Sequence, residues 1–177
     1  MRKIEKTVRE ILKELNVTEP PVPVELIAKK MGAKLMFEPF DGKDDISGML
    51  FRDGENTIIG INSSHANARQ RFSIAHEIGH LALHKGNKLF IDKVVKINFR
   101  DNKSSMAIDS NEIAANAFAA ELLMPRDFVR DEIHNELERQ KSITNKDDLI
   151  QKLAKTFDVS TQAMEYRLIN LGILGSH

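Results

Sequence analysis

Residues 71–84 read RFSIAHEIGHLALH, which sets His76, His80 and His84 at intervals of four, with Glu77 directly after the first. On a helix, residues four apart are separated by about 40° of rotation and about 6 Å of rise, so His76 and His80 can meet at one ion from one face. His84 lies about 12 Å along the axis from His76, too far to share that ion when metal–nitrogen bonds are about 2 Å long. Two histidines are therefore candidate ligands, and the set must be completed from elsewhere. The stretch also has the form H-E-x-x-H. In that arrangement Glu77 sits beside the open coordination position, where it can take a proton from an activated water and pass it to a leaving amine. His84 reads as a helix-end histidine favoured by the C-terminal dipole, and His134 and His177 as solvated surface.

The third ligand is expected from a carboxylate or histidine on a neighbouring element. DSNEIAANAFAAELLMP (residues 109–125) offers Glu112 and Glu121. Asn116 follows Glu112 by four residues on the same helical face, so Glu112 can bind the ion while Asn116 orients a ligand histidine through its other nitrogen. The surrounding alanines allow this helix to lie close to the histidine helix. A competing use for Glu112 is a capping box with Asp109. Glu121 reads as solvated, with ligation as its alternative use.

The rest of the chain must position these groups. Its 177 residues, 41% hydrophobic and 29% charged, suit a soluble globular protein with a real core. Lys+Arg and Asp+Glu both number 26, a balance that gives no general attraction to nucleic acid or anionic membrane. The absence of cysteine excludes thiol catalysis, Cys-ligated metal and disulfides, so a metal must take His and carboxylate ligands. MRKIEKTVREILKELNV has no apolar h-region, and nowhere does an apolar run approach the 18 or so residues of a membrane span. A cytoplasmic protein is expected.

Periodicity predicts a first amphipathic helix on Ile4, Val8, Ile11, Leu12 and Leu15, stopped by the prolines of EPPVP, then a short helix over VELIAKKMGA ending near Gly32. Three strands follow: AKLMFEPF, SGMLF and TIIGIN, the last two joined at Asp53-Gly54. The histidine helix is expected over about 63–86, a loop with some strand content over 87–108, and the third-ligand helix over about 110–124, stopped by Pro125. Another short helix is expected around RDFVRDEIHNELE. DLIQKLAKTFDVSTQAMEYRLINLGIL predicts two helices around a turn at Asp158.

With HEIGH and NEIAANAFAAELLMP together, the chain resembles the ImmA/IrrE family of metallo-endopeptidases. The resemblance runs through PVPVELIAKKMGAKL, DISGML, RQRFSIAHEIGHLALH, FRDNKSSMAIDSNEIAANAFAAELLMP and LAKTFDVSTQAMEYRLINLG. It implies an α+β, zincin-like metallopeptidase fold, mainly helical, with a small, about three-stranded antiparallel sheet. The metallopeptidase domain would occupy residues 1–140, with a helix-turn-helix-like element at 141–177 packed on it. It further implies one Zn2+ per chain on His76, His80 and Glu112, with Glu77 as general base. The implied substrate is an intracellular helix-turn-helix repressor, cleaved to release a prophage, mobile-element or stress-response operon. Family members often carry Glu-x-Glu-Ala-Asn where this chain has Glu112-Ile113-Ala114-Ala115-Asn116; only the first acid is present, which favours Glu112 as the ligand.

An oxyanion stabiliser is also required, and His65, Arg71 and Tyr166 are the candidates. An extended substrate segment could pair with TIIGIN or its hairpin partner by strand addition. The main alternative is a DNA-binding regulator with a structural or sensory zinc site, because residues 153–168 also scan as a helix-turn-helix. Charge opposes that reading: Lys152, Lys155 and Arg167 are balanced by Asp148, Asp158 and Glu165, and the would-be recognition helix offers only Arg167 as a cation. A third reading is an adaptor that binds the repressor without cutting it, for which Glu77 would have no use.

Overall fold

The periodic apolar residues of the N-terminal segment form α1 (Arg2–Glu14), with Val8 and Leu12 turned into the core. After the prolines, α2 (Val24–Lys30) buries Val24, Ile27 and Ala28, and Gly32 leaves it at a φ of 83°, the left-handed region that glycine occupies without strain. The computed structural model describes residues 2–40, 42, 45–54, 56–83, 89–93, 110–138 and 145–175. Within them the remaining elements are β1 (Ala33–Glu38), β2 (Ile46–Asp53), β3 (Asn56–Asn62), α3 (Asn67–Leu83), β4 (Leu89–Lys93), α4 (Ser110–Leu123), α5 (Arg126–Glu138), α6 (Lys146–Phe157) and α7 (Thr161–Asn170).

The α+β class, mainly helical with one small sheet, is as expected from the sequence. The sheet differs in two details. It has four strands in the order β1-β3-β2-β4, and β1 runs parallel to β3, whereas the β2–β3 and β2–β4 pairs are antiparallel. The β2–β3 hairpin, turning through Gly54 at a φ of 58°, is local and therefore visible in sequence. The parallel pairing requires β1 to pass over its sequence neighbour, which no local signal encodes. With β2 and β3 each paired on both sides, neither TIIGIN nor its hairpin partner has an edge to offer an added strand. That expectation is overturned.

One face of the sheet sends Leu50, Ile59 and Ile61 into a core shared with Ile74 and Ile78 of α3 and Phe118 and Leu122 of α4. Helix α3 is thus packed between β2 and β3 on one side and α4 on the other. It begins at Asn67, not at Ser63 or Ser64. Asn62 Oδ1 accepts from Ser64 N at 3.1 Å, and its backbone oxygen accepts from His65 N at 3.3 Å, so this asparagine captures the turn before a helix can start. The expected helix end at Gly86, His84, and Asp109 of the capping box lie outside the described residues, as does His177.

The C-terminal pair is built on local signals. Asn145 caps α6 by accepting from Asp148 N at 3.0 Å, and Ser160 caps α7 by accepting from Ala163 N at 3.1 Å. Between the helices Asp158 takes a φ of 51°, a conformation that aspartate tolerates better than most residues. Leu153, Phe157, Met164 and Leu168 join the same core as the active helices.

Candidate metal centre

Helix α3 is buried almost all round between Arg71 and His80, yet that stretch carries Arg71, Ser73, His76, Glu77 and His80. Polar side chains survive such burial only with partners. His76 and His80 lie on one face, their Nε2 atoms 3.0 Å apart. Glu112, in the first turn of α4, reaches across to both: Oε2 is 3.2 Å from His76 Nε2 and Oε1 is 3.3 Å from His80 Nε2. Candidate ligand atoms of the three side chains all lie within 4.8 Å of one another.

Asn116, one turn after Glu112, places Oδ1 3.0 Å from His76 Nδ1. An amide oxygen only accepts, so His76 donates to it from Nδ1, and in the neutral imidazole this leaves the Nε2 lone pair facing His80 and Glu112. Converging lone pairs and a carboxylate are held together by a shared cation. Ligands bound at about 2.0–2.1 Å in a tetrahedron stand about 3.3 Å apart, close to the three observed separations. The donor set therefore fits a single divalent ion. With both imidazoles protonated at Nε2, which only the metal-free protein allows, their hydrogen bonds, first from His76 and then from His80, hold the Glu112 carboxyl well below the usual carboxylate range and outweigh the opposing effect of burial. Because its folded-state pKa is depressed, the stability that Glu112 contributes is present above the ordinary carboxylate pKa and is lost as pH falls through the depressed value.

Glu77, the residue after His76, is fully buried. One glycine makes the arrangement possible. A Cβ on Gly79 would stand 3.1 Å from Ala115 Cα and 3.2 Å from Ala115 O, so the glycine of HEIGH lets α4 approach closely enough for Glu112 to reach the histidines. Sequence reasoning credited only the alanines of α4. The missed signal was glycine inside a helix, which costs about 1 kcal/mol relative to alanine and so marks a close approach. On the other side, Arg52 of β2 donates from Nη2 to His80 O at 3.0 Å, tying the sheet to the end of the motif.

The other candidates are placed apart from this cluster or in different roles. Arg71 lies about 140° round the helix from His76. Its guanidinium donates to Val22 O at 2.9 Å and Asp158 O at 3.1 Å and pairs with the Asp158 carboxylate at 3.2 Å, anchoring α2 and the α6–α7 turn to α3. Arg71 is thus committed to the scaffold, contrary to its candidacy as an oxyanion stabiliser. His65 is half-buried in the turn before α3, where its carbonyl accepts from Gln70 Nε2 at 2.6 Å. Tyr166 is half-buried on α7. Glu121 is neither solvated nor part of the metal cluster: it is buried, pairs with Arg167 and accepts from Arg126 N at 3.3 Å. Arg167 also donates to Met124 O at 2.9 Å, so the cation of the would-be recognition helix is turned inward.

Two imidazoles and a carboxylate around one point, with a buried glutamate one residue after the first imidazole, match the H-E-x-x-H donor pattern of metallopeptidases and could hold one metal ion. A family model described as the IrrE N-terminal-like domain, Peptidase_M78, matches residues 28–169, and the chain belongs to this ImmA/IrrE family of metallopeptidases. It is also 33% identical over 88 residues to "Uncharacterized immunity region protein 2" of Bacillus phage phi105, a match covering 49% of this chain. The chain spans about half the length of that relative, 50%. Among the described residues, no helix is long and apolar enough to cross a membrane.

Proposed function

We propose that this protein is a zinc-dependent endopeptidase that cleaves a helix-turn-helix repressor inside the cell and thereby derepresses the operon it controls. The observation that carries the reading is the convergence of His76, His80 and Glu112 within 3.3 Å contacts, with the buried Glu77 one residue after His76. His76, His80 and Glu112 would hold the zinc, which when bound would supply the Lewis acidity that activates water and the scissile carbonyl. Glu77 accepts the proton of the attacking water and returns it to the leaving amine. Asn116 fixes the tautomer and ring orientation of His76, and Arg52 holds the His80 turn against β2. His65 and Tyr166 are the remaining candidates to donate to the oxyanion.

The repressor is suggested by the resemblance of the whole chain to its family and is in keeping with the phage relative, whose name places it in an immunity region. Direct DNA binding finds little support, because the α7 cation is spent on Glu121 and Met124. The test is to incubate the zinc-loaded chain with repressors encoded beside it and to follow fragments by mass spectrometry. Cleavage by the native protein, with none by a zinc-retaining Glu77→Gln variant, is the expected result. Derepression that survives Glu77→Gln would favour the adaptor reading, and a salt-dependent shift of operator DNA the regulator reading. A protein that neither carries zinc nor takes it up on titration would sink the proposal at its first step.

A further inference from the structure

Strand β2 is irregular where it passes Glu77. Ile46 pairs with Lys93 and Gly48 with Asp92, leaving Ser47 as the extra residue of a bulge against β4. On the other side the β2–β3 register reaches Gly48↔Ile61, and beyond it Asn62 Nδ2 donates to Ile46 O at 3.0 Å. The bulged residue is itself gripped: Arg69 donates from Nε and Nη2 to Ser47 Oγ at 3.3 and 3.2 Å. Ser47 and Asn62 are both buried.

The residues of α3 that meet this bulge lie on one face. Arg69, Ser73 and Glu77 are spaced by four. Arg69 holds Ser47, and a Cβ built on Gly48 would stand 3.4 Å from Ser73 Cβ and 3.2 Å from Glu77 Oε1. The last distance is tighter than nine in ten Cβ contacts, so a Cβ at 48 requires the carboxylate to give by a few tenths of an ångström. Bulges beside reactive groups commonly serve to aim a side chain, and the hydrogen bonds here fix where the bulge falls.

We infer, resting on Glu77 as the general base, that the Ser47–Gly48 bulge is the seat of its carboxylate, and that Ser47, Gly48, Asn62 and Arg69 are positioning residues for Glu77. They act through Glu77 and not on the metal ligands. Loosening the seat therefore leaves metal loading intact while degrading whatever needs the carboxylate in place.

The experiment uses full-length zinc-loaded protein and acetohydroxamate as probe. A hydroxamate chelates through both oxygens and gives its proton to a neighbouring carboxylate, so its affinity reports the position of that carboxylate without any protein substrate. Zinc per chain, thermal midpoint and acetohydroxamate affinity by calorimetry are compared for the native chain, Glu77→Gln, Gly48→Ala and Ser47→Ala. Gly60→Ala serves as control, because its Cβ would meet Met49 Cγ at 2.9 Å in the same sheet and not Glu77. The expected result is native zinc content throughout, with affinity about tenfold weaker in Gly48→Ala and Ser47→Ala, in the direction of Glu77→Gln. Gly60→Ala should bind like the native chain even if its midpoint drops. Native affinity in both bulge variants alongside a weakened Glu77→Gln overturns the seat alone. Native affinity in Glu77→Gln overturns the role of Glu77 and the seat with it, and absence of zinc removes the metallopeptidase reading beneath both.

Discussion

Glu112 and Glu121 stand on one helix and do opposite things. Nine residues apart, they project about 180° from each other, so α4 offers one carboxylate to α3 and the other to α7. Glu112 keeps 29% of its side chain exposed and faces two imidazoles, which can lend lone pairs to an ion. Glu121 keeps 9% and faces Arg167, whose charge is permanent and whose remaining donors reach Met124 O. A carboxylate is available to a metal where its neighbours are themselves ligands. Opposite a buried guanidinium it is already neutralised, and serves only to hold two helices together.

Removing the two carboxylates in turn tests that contrast. Glu112→Ala should lose zinc almost entirely, read as metal per chain after gel filtration, because two histidines alone leave a three-residue site short of a ligand. Glu121→Gln should retain full zinc. If instead Glu121→Gln empties the site and Glu112→Ala does not, the assignments must be exchanged.

The next largest effect belongs to Glu77, which shares a helix with the ligands but is expected to touch none of the metal's affinity. Glu77→Gln should slow repressor cleavage by about 10²–10⁴-fold with zinc still bound, the range for loss of a general base. Cleavage at the native rate would remove it from the chemistry.

Glu121→Gln has its own cost, read in stability and not in metal. Leaving the Arg167 charge buried without its partner should destabilise the fold by about 3 kcal/mol, measured by denaturant unfolding. The double variant Glu121→Gln with Arg167→Met should recover part of that loss, since the stranded charge is gone. A double variant as unstable as the sum of the singles would mean that packing, not charge, governs this junction. Asn116→Ala should act more gently and on the other side of α4, weakening zinc about tenfold by freeing the His76 ring while leaving stability near native.

How far these roles were legible follows from how local their signals are. Residues at spacing four on one helix announce a shared face, so His76 with His80, and Glu112 with Asn116, could be paired from sequence, and the structure brings these four side chains together. The turn at Asp158 was equally local, which is why the C-terminal helices could be outlined. Glu121 was misread, and Arg71 stayed among the oxyanion candidates, because their partners are distant: Arg71 binds Val22 and Asp158, 49 and 87 residues away, and Glu121 pairs with a residue 46 positions on. A lone arginine on an active helix looks catalytic until something far along the chain claims it. The parallel β1–β3 pairing and the Ser47 bulge were hidden for the same reason.

The smallest effect sharpens the comparison from outside the core. Arg9 and Asp127 link α1 to α5 at 3.2 Å, the same types of charge as Arg167 and Glu121, but with side chains 72% and 47% exposed. Water already solvates both partners, and holding two long side chains in register costs entropy, so the pair adds little. Arg9→Ala should change stability by less than about 1 kcal/mol and by less still at high salt, where exposed charges are screened. The buried pair should show almost no salt dependence, because the ions that screen it must first enter the core. Equal sensitivity of the two pairs to salt would mean that Arg167 and Glu121 are reached by solvent, and that α7 lifts from α4 often enough to matter.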